Sequence, residues 1–293
     1  MVSTESGRSI GGDFDAPALL ATKARNENFP VASHLLPRDI RASLMAIYGF
    51  ARLADDLGDE AEGDRLALLD WLEAELDRAA AGRATHPALQ QLTPVIRELN
   101  LSLDPFRCLV EANRMDQRTT RYRSFGDLVG YCMLSAAPVG RLVLAVFGVA
   151  TAERTALSDE VCIGLQVVEH LQDVGEDARR GRIYLPAEDM ERFGCTEAEL
   201  LGTGASPALR SLVVMEVNRA RSLLASAVPL AASLGFRPRA AVVGFAAGGT
   251  AALDSIERSG GDVLTYRCRP RKLAFARRAV SAMTAASTGR ARS

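Results

Sequence analysis

Acidic side chains recur at helical spacing in the segment Cys162–Pro186. Gln166, Glu169, Asp173 and Asp177 fall at positions i, i+3, i+7 and i+11. Because an α-helix has about 3.6 residues per turn, these side chains are predicted to share one narrow stripe. Stacked like charges destabilise a helix, so a positively charged ligand or side chain is expected to offset their repulsion.

A second acidic cluster lies upstream, in the sequence AIYGFARLADDLGDE. Asp55 and Asp59 are spaced i and i+4, and Tyr48 and Arg52 precede Asp55 by two turns and one turn. A single pair of this kind is typical of a solvated helix face. Two such helices facing each other would instead form a cage of carboxylate oxygens.

Oxygen cages of this type suit Mg²⁺, or Mn²⁺ in its place. Mg²⁺ prefers oxygen ligands and keeps water and substrate phosphates in its coordination shell, so the cage predicts a diphosphate ligand. The predicted metal ligands are all carboxylates: Asp55, Asp59, Glu169, Asp173 and Asp177.

Composition narrows the class of protein. The chain has 293 residues, 48% of them hydrophobic, and a formal net charge of −1. This supports a substantial core and argues against nucleic-acid binding, which usually needs a basic surface. The cysteines are odd in number and widely spaced, which is typical of a reduced, cytoplasmic protein: Cys108, Cys132, Cys162, Cys195 and Cys268. We expect neither a signal peptide nor a spanning helix.

The hydrophobic pattern predicts an all-α fold. Helical periodicity recurs along the chain and no segment alternates at period two for long, which indicates a single all-α domain over residues 16–280. Residues 1–15 are predicted to be a mobile N-terminal segment, and residues 281–293 a basic tail. Long helices are predicted over 38–57 and 64–81, with Asp104 as the cap of a further helix and another helix starting after Ser124. Gly58 is expected to loosen the end of the first helix, and Pro186 to end the acidic helix.

Four motifs carry a resemblance to a known family. The sequences NFPVASHLLP, AIYGFARLADDLGDE, YCMLSAAPVG and LQDVGEDARRGRIYLP resemble, in order and spacing, the head-to-head prenyl synthases, which make squalene, phytoene and dehydrosqualene. Within that family, ENFPVAS, EANRMDQ, LSAAPVG and VVEHLQDV are similar to the bacterial hopanoid-pathway branch. The resemblance implies an isoprenoid-synthase-like helical bundle around a central cavity, and prenyl diphosphate substrates. Small residues, among them Gly140 and Gly249, are expected to let the hydrocarbon lie against the wall of a tunnel.

The resemblance also implies roles for individual residues. Tyr48 and Tyr131 would shield a carbocation and join the four aspartates as catalytic residues. The diphosphate would be bound by Asn28, Arg52, Gln166 and Arg182. The chain departs from the family in having Ser135-Ala136-Ala137 where Val-Ala-Gly is usual, and Glu169 where Asn is common. His170 points off the acidic stripe and is predicted to be structural.

These expectations lead to one main hypothesis and several alternatives. By resemblance, the enzyme would convert presqualene diphosphate and water to hydroxysqualene without NADPH. It would otherwise join two farnesyl diphosphates to presqualene diphosphate, or onward to squalene with NADPH, or make phytoene. Outside the family, a di-iron carboxylate bundle would need Glu-x-x-His pairs that the chain lacks. A non-catalytic helical scaffold at a membrane surface is the remaining alternative.

Two basic stretches have open interpretations. Arg114, Arg118, Arg121 and Arg123 form either a solvated face or a patch that complements the diphosphate. After Asp262 the chain is basic and has no acidic residue, which would suit docking on anionic lipid at the inner face of the membrane.

Overall fold

The computed structural model describes residues 36–265, in which α-helices are joined by turns and short loops. We number the α-helices in chain order: α1 Arg38–Asp55, α2 Arg65–Ala80, α3 Pro87–Glu98, α4 Asp104–Asp116, α5 Phe125–Ser135, α6 Ala137–Val146, α7 Ala152–Gln172, α8 Val174–Arg179, α9 Ala187–Phe193, α10 Glu197–Leu200, α11 Pro207–Leu224, α12 Ala227–Ser233 and α13 Phe236–Arg258. The only β-type pairing within 36–265 is an isolated bridge between Arg121 and Ile183. The predicted all-α class is confirmed.

Side-chain caps start several of these helices. Ser124 accepts a hydrogen bond from the Asp127 amide, and Asp127 accepts one from the Ser124 amide, so α5 begins with a complete capping box. Thr151 and Ser206 cap α7 and α11 in the same manner, by accepting from the amide three residues later. The caps fix where α5 and α7 begin, and these two helices line the site described below.

Two hydrophobic clusters form the core. One joins α1–α4 with part of α6, and the other joins α5, α7 and α11–α13. α7 is the central helix of the second cluster and packs against α5, α6, α11, α12 and α13. α6 contributes Leu142 and Val146 to the first cluster and Leu144 to the second. It therefore connects the two halves.

Small residues predicted to line a hydrocarbon tunnel instead bring helices close together in several places. A Cβ atom on Gly140 would lie 2.6 Å from Cys162 Sγ, and one on Gly249 would lie 2.7 Å from Leu165 Cδ2. These glycines let α6 and α13 pack against α7, where a larger residue would clash. These two contacts do not support the prediction that the glycines line a tunnel.

Several predicted boundaries differ from the structure. α1 does not run to Leu57 as a regular helix, because Asp56–Glu60 forms a π-helical turn. Asp104 is the first residue of α4 rather than its cap. The second acidic segment is divided between α7 and α8, because Asp173 leaves helical geometry at φ −109° and ψ 13°. Pro186 caps α9 instead of ending the acidic helix.

α5 and α6 together form an apolar stretch of 22 residues, Phe125–Val146, that could cross a membrane by length and composition. Half of its most apolar window is buried inside the protein. The helix is interrupted at Ala136, and Pro138 follows. Buried core helices meet the same criterion of length and composition.

Candidate active site

A cavity of about 220 Å³ lies where the two hydrophobic clusters meet. Its walls come from the end of α1 and the π-helical turn, from α4, α5, α7 and α8, and from the loop after α8. The side chains that line it are mostly polar: Asp55, Asp59, Leu109, Ala112, Asn113, Asp116, Tyr131, Ser135, Gln166, Glu169, His170, Asp173, Asp177, Arg180, Arg182 and Tyr184. The two predicted acidic segments therefore meet in one site.

The first acidic wall is held by α4. Asn113 donates a hydrogen bond to Asp55 Oδ1 at 3.3 Å and another to the Leu109 carbonyl at 3.1 Å. Gln117, one turn further on, donates to the Gly58 carbonyl at 2.9 Å. Gly58 makes this contact possible, because a Cβ atom at that position would lie 2.2 Å from Asn113 Oδ1.

The second acidic wall is continuous although its helix is not. The Asp173 amide donates to the Glu169 carbonyl at 3.0 Å, and the Asp177 amide donates to the Asp173 carbonyl at 2.8 Å. These bonds keep the three carboxylates at one-turn intervals across the break between α7 and α8. The predicted stripe is thus retained in the lining of the cavity.

Arg182 connects the two walls. Its Nη2 donates to Asp59 Oδ1 at 2.7 Å, across 123 residues of sequence. Its loop is held in place by a neighbouring chain segment, because the Ile183 amide donates to the Thr120 carbonyl at 2.9 Å and Arg121 donates to the Gly181 carbonyl at 2.6 Å. The guanidinium is placed where it can bind an anion shared by both walls.

Aromatic rings close the cavity on the side of α5. Tyr131 donates from its hydroxyl to Asp116 Oδ2 at 2.8 Å. The Tyr184 ring stacks on the His170 ring with centroids 3.7 Å apart. Tyr122 stacks on Tyr184 at 5.6 Å and lies tilted against Tyr131 at 5.4 Å. Aromatic faces carry partial negative charge and attract cations. The arrangement can stabilise a positive charge on a substrate.

Burial shifts the proton affinities of the acids. The carboxylates of Asp55 and Asp177 face the cavity, but the surrounding protein removes much of their hydration and raises the pKa of each to about 7. Asp59 adds to the effect at Asp55, and Asp173 adds to it at Asp177. For the same reason the pKa of Asp116 is raised to about 6, although the Tyr131 hydroxyl and Arg182 oppose the shift. Desolvation lowers the pKa of His170 to about 3, so its imidazole is neutral.

The raised pKa values of these carboxyl groups help to decide whether a divalent cation fits the cavity. Crowded, poorly hydrated carboxylates are the groups that a cation would stabilise most, and the donors present are the oxygen ligands that Mg²⁺ prefers. Within residues 36–265, no three His, Cys, Asp or Glu side chains are grouped so as to hold a metal ion by themselves. The five predicted ligands fit Mg²⁺ in chemistry and share a cavity, and metal binding stays a prediction.

Some predicted residues lie elsewhere. Arg52 forms ion pairs with Asp56 at 2.7 Å and Glu60 at 3.2 Å and is not among the residues lining the cavity. Tyr48 is buried in α1 and is also absent from that lining. Asn28 lies outside the described residues, as does the basic segment after 265, so both predictions remain open.

Three of the four arginines in the basic run at the end of α4 form ion pairs away from the cavity. Arg114 pairs with Asp70 at 2.6 Å and Glu73 at 2.7 Å, and Arg121 pairs with Glu197 at 2.7 Å. Arg118 pairs with Glu111 at 3.3 Å. Their positions favour the interpretation of a solvated face that braces neighbouring helices.

Sequence reasoning missed part of the site. Asn113, Asp116, His170 and Tyr184 line the cavity but were given no role among the site residues. A signal existed for two of them, since Asp116 lies in a family motif and Tyr184 follows the Arg-rich exit of the acidic segment. The contact of Asn113 with Asp55 joins residues 58 apart, and no local pattern indicates it.

Comparison with known proteins agrees with this geometry. The family model for squalene/phytoene synthase matches residues 22–274. The chain is 37% identical to a hydroxysqualene synthase of Zymomonas mobilis over 216 residues and 39% identical to one of Rhodopseudomonas palustris over 215 residues, covering 72% of each chain in both pairs. The structure superposes on squalene synthase HpnC from Alicyclobacillus acidocaldarius with a TM-score of 0.78 and 43% identity, covering 85% of this chain and 94% of that one.

A more distant structure shows the fold alone. A dehydrosqualene synthase, 22% identical, superposes with a TM-score of 0.82 over 93% of this chain and 96% of that one. The relatives with 37–43% identity are named as synthases, so the interpretation as a non-catalytic scaffold was wrong, and none of these relatives is named as a di-iron protein. With two acidic walls, an arginine between them and a match over nearly its whole length, the chain belongs to the squalene/phytoene synthase family and is a prenyltransferase-type enzyme that acts on prenyl diphosphates.

Proposed function

We propose that this enzyme converts presqualene diphosphate and water to hydroxysqualene and diphosphate, in the biosynthesis of squalene and hopanoids. The observation that carries the proposal is the ion pair between Arg182 and Asp59. The pair places a guanidinium between two carboxylate walls of one cavity. A departing diphosphate needs such a cation to stabilise its negative charge. The hydroxysqualene synthases at 37% and 39% identity support the choice of this half-reaction.

The diphosphate would bind at the acidic end of the cavity. Arg182 and Arg180 are the cations that line the cavity within residues 36–265. A guanidinium can bind two phosphate oxygens at once. When the substrate arrives, Arg182 is expected to exchange the Asp59 carboxylate for phosphate oxygens and so to stabilise the charge that develops on the leaving group.

Asp55, Asp59, Glu169, Asp173 and Asp177 would hold Mg²⁺ against the same diphosphate. Bound there, Mg²⁺ supplies Lewis-acid stabilisation of the leaving group. The charge of the carboxylates repels the diphosphate unless cations lie between the two. The diphosphate is therefore expected to bind only where the cations are held, and this orients the substrate.

The aromatic group would protect the carbocation left behind. Tyr131 and Tyr184 face the cavity between the acidic end and α5, and their ring faces stabilise positive charge without acting as strong nucleophiles. Burial keeps the pKa of both phenols above the usual value, so neither ionises near neutral pH. The hydrogen bond from Tyr131 to Asp116 fixes the orientation of its ring.

The closely related alternative is condensation of two farnesyl diphosphates to presqualene diphosphate, or onward to squalene with NADPH. The squalene synthase at 43% identity favours this second reading. All of these reactions begin with departure of a diphosphate, and they differ in how the carbocation is consumed. Condensation to presqualene diphosphate ends with loss of a proton, squalene formation ends with hydride transfer from NADPH, and the proposed reaction ends with capture by water.

Product analysis separates the two reactions. Purified protein and Mg²⁺ are incubated without NADPH, in one tube with presqualene diphosphate and in another with farnesyl diphosphate, and the products are identified by mass. Hydroxysqualene from presqualene diphosphate alone supports the proposal. Presqualene diphosphate formed from farnesyl diphosphate would replace it with the condensing reaction.

A further inference from the structure

Three polar side chains line the cavity beside the acidic walls. Gln166 and His170 are one turn apart on α7, and Ser135 is one turn beyond Tyr131 on α5. Gln166 precedes Glu169 by one turn of α7, and Ser135 follows by one turn of α5 the Tyr131 that contacts Asp116.

Ser135 has an unused hydrogen-bonding group. Its Oγ is fully buried and has no hydrogen-bond partner among the described residues. A buried hydroxyl without a partner costs stability, and Ala would avoid that cost at the same size. Such a group in the wall of a cavity is well placed to bind a molecule that enters it.

His170 and Gln166 form a fixed pair in the lining of the same cavity. Gln166 Nε2 and His170 Nε2 are 3.4 Å apart, and the His170 ring is held by stacking on Tyr184 at 3.7 Å. A neutral imidazole has one donor and one acceptor nitrogen, and the amide offers both kinds of group. After they bond to each other, each side chain still has a polar atom that can bind a ligand.

Hydrocarbon substrates cannot use these atoms. The substrate of the proposed function has oxygen only in its diphosphate, which is expected at the acidic end beside Arg182. A small molecule with both donors and acceptors satisfies Ser135, Gln166 and His170 together, and water has that chemistry.

We propose that Ser135, Gln166 and His170 hold the water molecule that captures the carbocation, and thereby direct formation of the alcohol. This inference rests on the proposed function and assigns Gln166 to the hydrocarbon end of the substrate in place of the diphosphate. A lone pair of the water oxygen forms the new C–O bond at the cationic carbon. The resulting oxonium loses one proton to the released diphosphate, so charge and atoms balance.

The test measures the ratio of alcohol to hydrocarbon products. A misplaced water molecule should change this ratio more than it changes the rate at which the diphosphate leaves. Presqualene diphosphate is turned over with Mg²⁺ in H₂¹⁸O, and ¹⁸O-labelled hydroxysqualene is counted per diphosphate released. The variants are Ser135→Ala, which removes one oxygen, and His170→Phe, which keeps a flat ring beside Tyr184. Ser211→Ala is the matched control, because its hydroxyl is exposed on α11 and bonds to the Pro207 carbonyl at 2.9 Å.

We expect hydroxysqualene per diphosphate to fall about fivefold in His170→Phe and about two- to threefold in Ser135→Ala, as for loss of one hydrogen bond. Hydrocarbons formed by proton loss should rise in compensation, and Ser211→Ala should match the wild type. An unchanged ratio in both site variants would overturn the inference while leaving the proposed function intact. A wild type that makes no hydroxysqualene would instead refute the proposed function, and the inference with it.

Discussion

Arg182 interacts with both acidic walls. It is bonded to Asp59 at 2.7 Å, and its charge also acts on Asp116 and Asp177. The resemblance implied that it binds the diphosphate, and the arginine-rich exit after the second acidic segment agrees with that prediction. Its partner could not be predicted, since Asp59 is 123 residues away and both side chains are brought together only by the packing of helices.

Replacing Arg182 tests the proposed diphosphate site. Arg182→Gln removes the charge between the walls, so kcat/KM for the prenyl diphosphate should fall about 100-fold or more, in the range of a lost charge-assisted contact to a leaving group. Steady-state kinetics measures the change. The control is Arg118→Gln, whose side chain is mostly exposed and pairs with Glu111. Comparable losses in the two variants would show that general charge, and not the position of Arg182, matters.

At the level of elements, the π-helical turn at Asp56–Glu60 was not predictable. The sequence indicated a regular helix to Leu57, loosened near Gly58, because helical periodicity does not reveal a single wide turn. The turn forms where α4 approaches closely: the Gly58 carbonyl accepts from Gln117, and the missing side chain makes room for Asn113. π-helical turns within α-helices often occur at functional sites, and this one carries Asp59.

Gly58→Ala should therefore destabilise the protein. The new Cβ would meet Asn113 Oδ1 at 2.2 Å and its Cβ at 3.1 Å, so either α4 or the turn must move. We expect a loss of about 1–3 kcal/mol, typical of overpacking. Thermal unfolding of Gly130→Ala provides the comparison, because that helical glycine has no atom within 4 Å of the added Cβ. The second variant should be neutral or up to about 1 kcal/mol more stable.

Outside the site, α11 carries a buried charge imbalance. Arg219 pairs with Glu216 at 2.8 Å and with Asp189 at 2.5 Å, and both carboxylates are buried. Desolvation and the neighbouring Asp189 raise the pKa of Glu216 to about 7, although Arg219 opposes the shift. Two acids thus share one guanidinium, and the pattern of apolar residues gave no indication of it.

The pH dependence of stability should report this imbalance. Because the folded-state pKa of Glu216 is raised above about 4.5, its contribution to stability is complete below that pH and is lost as the pH rises through about 7. Glu216→Gln is neutral at every pH. Its melting temperature relative to the wild type should therefore increase between pH 5.5 and pH 8.5, by about 3 °C or more. Glu257→Gln, half-exposed beside Arg221, should show no such trend. If the melting-temperature difference between Glu216→Gln and the wild type did not change with pH, the raised pKa of Glu216 would be contradicted.

At the scale of the whole molecule, the fold class could be predicted and the size of the site could not. Residue types and period specify helices, and two acidic motifs specify that their helices meet. The cavity itself depends on what fills the space between the clusters. Gly140 and Gly249, expected to line a tunnel, are used for helix packing, while Asn113 and His170 line the cavity without a local signal.

Removal of divalent cations should abolish turnover. With EDTA the five carboxylates would repel the diphosphate, so the rate should fall below about 1% of the Mg²⁺-supplied value and recover when Mg²⁺ is restored in excess. Product formation by mass measures both steps. Full activity of the protein after exhaustive chelation would exclude the proposed role of the acidic walls.

The Arg182–Asp59 contact has a consequence for the order in which ligands bind. In the free enzyme each of these groups neutralises the other, so a cation arriving alone must compete with the guanidinium, and an anion arriving alone must compete with the carboxylate. When both arrive, the cation binds Asp59 and frees Arg182 for the anion, while the anion binds Arg182 and frees Asp59 for the cation. Positive cooperativity between Mg²⁺ and the diphosphate follows, and by thermodynamic linkage it is equal in both directions. The empty enzyme is thereby protected from occupation by either ion alone.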